Sequence, residues 1–259
     1  MNMKLKIICI CSVLSFSACA QGDYKLVWQD EFDYAGKPDS TKWVYELFPP
    51  YTVNAELQQY TDDLRNVEVK DGLLYITARK DEDKITSGRI LTRGKAAWLY
   101  GKIEARIKLP KGRGMWPAFW MMPEKRHYGK WPKCGEIDIM EFVGYMPDTV
   151  HATVHTGKYN HVIHTQKGEK TFCEGASDDY HVYACAWTPD KIEMSVDGRV
   201  YFEFKNDGSE DFETWPFNNP FHLILNVAVG GSWGGVKGVD ESVFPQQMLV
   251  DYVRVYQEN

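Results

Sequence analysis

The chain has 259 residues and a formal net charge of −6, which is room for one all-β domain or two small mixed ones. No block of Lys and Arg stands out, so nucleic acid is excluded as an expected partner. Aromatic residues make up 14%, with nine Trp and fifteen Tyr, which fits either a β-rich core or a cleft that stacks sugar rings.

The first element is a targeting segment. Lys4 and Lys6 precede a mainly apolar run over residues 7–16, too short to span a bilayer as a mature helix. Two processing readings stand open. Ala18-Cys19-Ala20 fits small-x-small cleavage before Gln21, leaving a signal peptide of residues 1–20. Phe16-Ser17-Ala18-Cys19 instead resembles a bacterial lipobox, in which a lipidated Cys19 would anchor the protein to a membrane. Either way export is expected, to the periplasm, the cell surface or the medium. Cys9, Cys11 and Cys19 belong to this segment, and the odd set Cys134, Cys173 and Cys185 remains. That set argues against a disulfide framework or a zinc site and leaves open one pair, such as Cys173 with Cys185, or buried thiols.

From residue 22 to residue 259 no linker or repeat interrupts the chain, so one domain is expected, as a monomer. Strand signals dominate it. Residues 73–77 follow an Asp71-Gly72 turn. Over residues 100–109, Gly101, Ile103, Ala105, Ile107 and Leu109 share one face, and Lys102, Glu104, Arg106 and Lys108 the other. Ile192, Met194 and Val196 alternate up to Asp197-Gly198, and Val200, Phe202 and Phe204 alternate after it. Asp-Gly between alternating runs is a strong hairpin signal, because a type I′ turn needs positive φ at both central residues. Residues 221–229 and 248–256 read as further strands, and no stretch keeps a helical period. Many alternating strands with short turns predict an antiparallel sandwich or barrel with one face wet.

The segment that carries chemistry runs from Trp131 to Phe142. Glu136 and Asp138 alternate with Ile137 and Ile139 and share a face; Glu141 falls one residue out of phase. A β-bulge near Ile139-Met140 would bring Glu141 onto the same face. Four effective strand steps then separate the two Glu Cα atoms by roughly 13 Å. A retaining glycosidase needs its carboxyl groups about 5–5.5 Å apart, a gap that converging side chains on a concave strand can close. In this reading Glu136 attacks the anomeric carbon and Glu141 serves as general acid and then base. Asp138 hydrogen-bonds Glu136 and sets the pKa values apart. The plainer reading is a solvated acidic face or a cation site. Apolar flanks and a third acid in bulged register favour catalysis.

At this motif the sequence resembles glycoside hydrolase family 16, in its laminarinase-like (endo-β-1,3-glucanase) branch. The likeness continues through Trp28-Gln29-Asp30-Glu31-Phe32, Asn54-Ala55-Glu56-Leu57-Gln58, Thr86-Ser87-Gly88-Arg89 and Tyr100-Gly101-Lys102-Ile103-Glu104-Ala105-Arg106. Trp116-Pro117-Ala118-Phe119-Trp120, Asn226-Val227-Ala228-Val229-Gly230-Gly231-Ser232-Trp233 and Asp251-Tyr252-Val253-Arg254-Val255-Tyr256 complete it. The resemblance implies an all-β, concanavalin A-like jelly-roll sandwich whose concave sheet forms an open cleft. It implies a polysaccharide substrate, β-1,3-glucan or mixed-linkage β-1,3/1,4-glucan, cut without a catalytic cofactor. Endo-β-1,4-galactosidase action on poly-N-acetyllactosamine is the alternative. A carbohydrate-binding module or a lectin-like adhesin is the non-catalytic one.

By resemblance the substrate contacts are Asn54, Arg89, Trp116, Trp120, Trp131, His155, Asn226 and Trp233. Core packing is expected to claim at least one of Trp116 and Trp120, and a structural ion pair competes for Arg89. Trp233 sits in a Gly-rich loop expected to leave it exposed. His151 is expected to be merely packed or exposed. A structural Ca²⁺ on the convex face would use Glu31, the Gly72 carbonyl and Asp251. The sequence departs from the branch over residues 157–168, where His161 and His164 stand in an aromatic, His-rich stretch bordering the leaving-group side.

Overall fold

Period-2 alternation becomes seventeen strands in a computed structural model that describes residues 24–259. The targeting segment, Cys19 included, lies outside the described residues. In chain order the strands are β1 (Tyr24–Asp30), β2 (Val44–Tyr45), β3 (Gln59–Tyr60), β4 (Val67–Lys70), β5 (Leu73–Asp81) and β6 (Lys84–Ser87). There follow β7 (Arg89–Leu91), β8 (Gly101–Lys108), β9 (Met115–Pro123), β10 (Glu136–Phe142), β11 (Thr149–His155) and β12 (Lys167–Phe172). The last are β13 (His181–Trp187), β14 (Lys191–Val196), β15 (Arg199–Lys205), β16 (Phe221–Val229) and β17 (Gln246–Glu258). Among the described residues, helix is limited to two single-turn 3₁₀ segments, His161–Ile163 and Glu241–Val243.

The strands form two sheets. A ten-stranded sheet runs β15-β14-β13-β8-β17-β5-β6-β3, with β1 beside β17 and β4 beside β5. A seven-stranded sheet runs β12-β11-β10-β9-β16-β7-β2. All the ladders are antiparallel except the short β3–β6 pair. This is the expected jelly-roll sandwich. The core lies between the sheets: Ile103, Ala105 and Ile107 from β8 face Phe119 and Met121 of β9, Ile137 of β10 and Leu223 and Leu225 of β16 across it. Burying each large aliphatic side chain contributes about 1.5–3 kcal/mol.

The turns follow their sequences. Asp71 and Gly72 have φ of 54° and 74°, and Asp197 and Gly198 have 49° and 77°, so both Asp-Gly pairs adopt the left-handed conformation that a tight hairpin needs. Cys134, Cys173 and Cys185 are all free and buried, so the thiol alternative holds. The Cys185 thiol sits in apolar surroundings that push its pKa well up and leave it unreactive.

Strand β10, between β11 and β9 in the seven-stranded sheet, carries the expected bulge. Asp138 pairs with Trp120, and Met140, two residues on, pairs with the very next β9 position, Phe119. Ile139 and Met140 therefore both point into the core, each 0% exposed. Two successive inward residues re-phase the strand, and Glu141 emerges on the outer face opposite Ala118.

Candidate active site

The outer face of the seven-stranded sheet gathers the chemistry. Across the β10–β11 ladder Glu136 stands opposite His155, Asp138 opposite Thr153 and Glu141 opposite His151. The partners of Glu136 and Glu141 are thus four positions apart on regular β11 while the glutamates are five apart on β10, as the bulge requires. Each glutamate accepts a hydrogen bond from an indole: Trp131 Nε1 donates to Glu136 Oε2 (2.9 Å) and Trp116 Nε1 to Glu141 Oε1 (3.0 Å). His155 Nε2 lies 3.4 Å from Asp138 Oδ2 and 3.8 Å from Glu136 Oε1. Glu136, Asp138 and His155 present atoms within 4.8 Å of one another.

Crowded, buried carboxyls resist ionising together. Burial raises the pKa of all three acids, and the charge of Glu141 raises Glu136 further. Asp138, only 3% exposed, is driven well up, and its contact with Glu136 lowers Glu136 while raising Asp138. Burial and the neighbouring glutamates thus favour the neutral form of Asp138. Glu136 accepts from Trp131, and its contact with Asp138 and the Arg89 cation also favour its charged form. Glu141 has one donor, Trp116, and the charge of Glu56 pushes it up. Burial lifts Glu136 to about 8 and Glu141 to about 7, so the crowded pair holds on to a proton near neutrality; Trp131, Arg89 and Asp138 favour the charge on Glu136, and Trp116 favours it on Glu141. Burial holds the pKa of His155 down to about 4, with His161 adding to it, so the imidazole facing Asp138 is neutral.

The remaining residues read from the sequence fall around this trio. Trp116 and Trp120 both lie on the outer face of β9, half-buried. Neither joins the core, contrary to the expectation for one of them, because their β9 neighbours Met115, Phe119 and Met121 already fill the inner face. Trp120 Nε1 donates to Asn226 Oδ1 (2.7 Å). Arg89 is both an ion pair and a neighbour of the outer-face aromatics: its Nε lies 2.8 Å from Glu46 Oε2, and its guanidinium lies 4.9 Å from the Trp120 ring centre. Trp233 is half-buried rather than exposed, because its ring packs edge-on against Trp116 (5.4 Å) and His151 (5.0 Å). His151 is packed, as expected, and also stands beside Glu141. Asn54 is exposed, with its amide on Glu56 Oε1 (3.2 Å).

Sequence reasoning passed over the side chains that build the far wall. Glu56 is 6% exposed and accepts from Gln58 Nε2 (2.7 Å) and from Tyr60 Oη (3.3 Å). Tyr60 Oη in turn accepts from Asn226 Nδ2 (3.1 Å), so one chain of bonds links Trp120, Asn226, Tyr60 and Glu56. The period-2 spacing of residues 56, 58 and 60 was a usable signal; their meeting with Asn226 was not.

The calcium set is arranged otherwise than a cation site needs. Both oxygens of Glu31 are held by Arg254 at 2.8 Å, and Asp251 Oδ2 is held by Arg106 at 2.6 Å. With guanidinium groups neutralising both carboxylates, Glu31, Gly72 and Asp251 do not fit a bound Ca²⁺ as placed.

Comparison with known proteins gives a consistent picture. Residues 54–254 match the family model for glycosyl hydrolases family 16. The chain is 49% identical to a beta-glucanase of Rhodothermus marinus, over 97% of this chain and 92% of that protein. It is 36% identical to a keratan-sulfate endo-1,4-beta-galactosidase of Sphingobacterium multivorum, over 94% of this chain and 58% of that protein. The X-ray structure of the laminarinase from Rhodothermus marinus superposes with a TM-score of 0.88 at 50% identity, covering 91% of this chain and 98% of that one.

Proposed function

The chain belongs to the glycosyl hydrolases of family 16, and from that premise we propose that it is a retaining endo-β-1,3-glucanase. The observation that carries the mechanism is the bulged β10. It sets Glu136 and Glu141 on one face, each under an indole N–H, with Asp138 between them. Ionised Glu136 attacks the anomeric carbon, and protonated Glu141 gives its proton to the departing glycosidic oxygen. Glu141, now a carboxylate, takes a proton from water as the water displaces Glu136, so the β configuration is restored. No cofactor is needed for the reaction. The wall from Trp120 to Glu56 and the Trp116–Trp233 pair supply flat and polar surfaces for sugar rings on either side of the cut.

The proposal includes no calcium ion, since one could use Glu31 and Asp251 only by displacing Arg254 and Arg106. Export is part of it, supported by Lys4, Lys6 and the apolar run over residues 7–16.

The test is hydrolysis of laminarin, lichenan and keratan-type poly-N-acetyllactosamine by the wild type and Glu136→Gln. The wild type is expected to cut laminarin best and to release the β-anomer first by NMR. Glu136→Gln is expected to lose roughly 10⁴-fold or more of kcat/KM while still binding oligosaccharide. Preference for the galactosyl polymer would move the substrate assignment to the galactosidase alternative. A first-formed α-anomer would replace the retaining mechanism with an inverting one.

A further inference from the structure

Trp131 holds the nucleophile, yet it sits in a turn before β10 and has no ladder to fix it. Two imidazoles pack on its indole, His161 at 4.9 Å with the rings tilted by 37°, and His155 at 5.9 Å. His161 also meets His155 edge-on at 5.2 Å. We propose that His161 is a positioning residue: its ring holds the Trp131 indole so that the indole N–H stays on Glu136. The inference rests on the glucanase reading of this site.

The segment carrying His161 is built to hold a position. Asn160 is 3% exposed; its Nδ2 donates to Thr156 O (3.2 Å) and Gly157 O (3.1 Å), and its Oδ1 accepts from Val162 N (3.2 Å). Thr165 Oγ1 closes the loop by donating to Lys158 O (2.8 Å). The base of the loop is strapped to Glu213, whose carbonyl accepts from Thr156 Oγ1 (2.7 Å) and from Lys158 N (2.8 Å). The carboxylate of the same Glu213 pairs with Lys133, two residues beyond Trp131. Loop and turn are therefore fastened to one residue, and the His161–Trp131 contact lies between the two fastenings.

The consequence for Glu136 is electrostatic. Asp138 and Glu141 face it from its own strand, Arg89 from β7, His155 from β11 and Trp131 from the turn. Of these, Trp131, Arg89 and Asp138 favour its ionised form. An indole free to swing away removes one donor from a buried carboxylate, which then ionises only at higher pH. His161 lies on an exposed turn, and partial desolvation on the Trp131 side and the nearby His164 lower its pKa, which favours the neutral ring; its contact with Trp131 is ring packing. A flat apolar ring should therefore replace it.

The experiment compares wild type, His161→Ala and His161→Phe on laminarin across pH, with Tm measured for each. In His161→Ala, kcat is expected to fall about ten-fold and the acid limb of kcat/KM to rise by roughly half to one pH unit, with KM within about two-fold. His161→Phe is expected to restore both. A readout independent of turnover is the Trp131 emission, taken as the difference from Trp131→Phe. Its pH midpoint, absent in Glu136→Gln, should move up in His161→Ala. A raised KM with an unmoved limb would make His161 a direct sugar contact and overturn the proposal. So would wild-type behaviour of His161→Ala, or a His161→Phe that behaves like it. A wild type that cuts no β-glucan defeats the functional reading instead, and the emission midpoint still decides the His161–Trp131–Glu136 link.

Discussion

At the scale of single residues the site works against the fold. Glu136, Asp138 and Glu141 all have folded-state pKa values raised above the ordinary carboxylate range, chiefly by burial. A carboxyl of this kind leaves the folded state fully stable below its unfolded pKa. Stability is lost as pH rises toward the folded pKa, because the unfolded chain releases the proton first. Glu136→Gln removes that penalty and keeps an acceptor for Trp131. The variant is expected to melt higher than wild type at pH 8 and alike at pH 4. About 1 kcal/mol of relief would show as roughly 2–4 °C in Tm. Equal Tm differences at both pH values would mean that Glu136 carries no such strain. Glu141→Ala isolates the other role and should lower kcat on laminarin by about 10²–10⁴-fold. An aryl glycoside with a good leaving group needs no acid, so azide should rescue turnover as a β-glycosyl azide. An α-azide would make Glu136 the residue that holds water.

At the scale of the element, everything turns on one extra residue in β10. A regular strand would have sent Glu141 into the core and Met140 to the cleft. The bulge instead buries Ile139 and Met140 together, so apolar burial fixes the register that sets Glu136, Asp138 and Glu141 on one face. Met140→Ala should cost about 2–5 kcal/mol through the cavity it leaves. If Met140 anchors the bulge, the surviving folded enzyme should also lose kcat. A variant that loses stability with kcat intact would show that Ile139 alone holds the register. The bulge was legible beforehand because a third acid stood out of phase in an otherwise alternating run. The hairpins were legible for a similarly local reason, since Asp-Gly declares its own backbone conformation.

At the scale of the molecule, the turn after β10 meets the turn before β9 so closely that no side chain fits. A Cβ on Gly144 would lie 1.7 Å from the Gly112 carbonyl oxygen. Gly144→Ala forces backbone apart and should destabilise by about 3 kcal/mol or more, read as a lower urea midpoint. On the opposite face, Arg254 and Arg106 occupy the carboxylates that calcium would need. Adding CaCl₂ to chelator-treated protein is therefore expected to leave Tm unchanged. A rise with calcium would show that the arginine pairs give way to the ion.

The sequence by itself determined the longer alternating strands through the two-residue period of an extended backbone, the tight turns through Asp-Gly, and the shared face of Glu136, Asp138 and Glu141 through one acid out of phase. It also marked Trp116, Trp120, Trp131 and Trp233 as a set, without saying what each would touch. Only the tertiary structure decided the partners. Sheet order puts β16 beside β9, so Asn226 reaches Trp120, while β3 at the edge of the other sheet brings Tyr60 to the same amide. The same order lays Arg89 against Trp120 and gives Glu31 and Asp251 to arginines distant in the chain. A loop folded back over β10 sets His161 on Trp131. Local periodicity fixes which way a side chain points, and only packing of remote strands fixes what it meets.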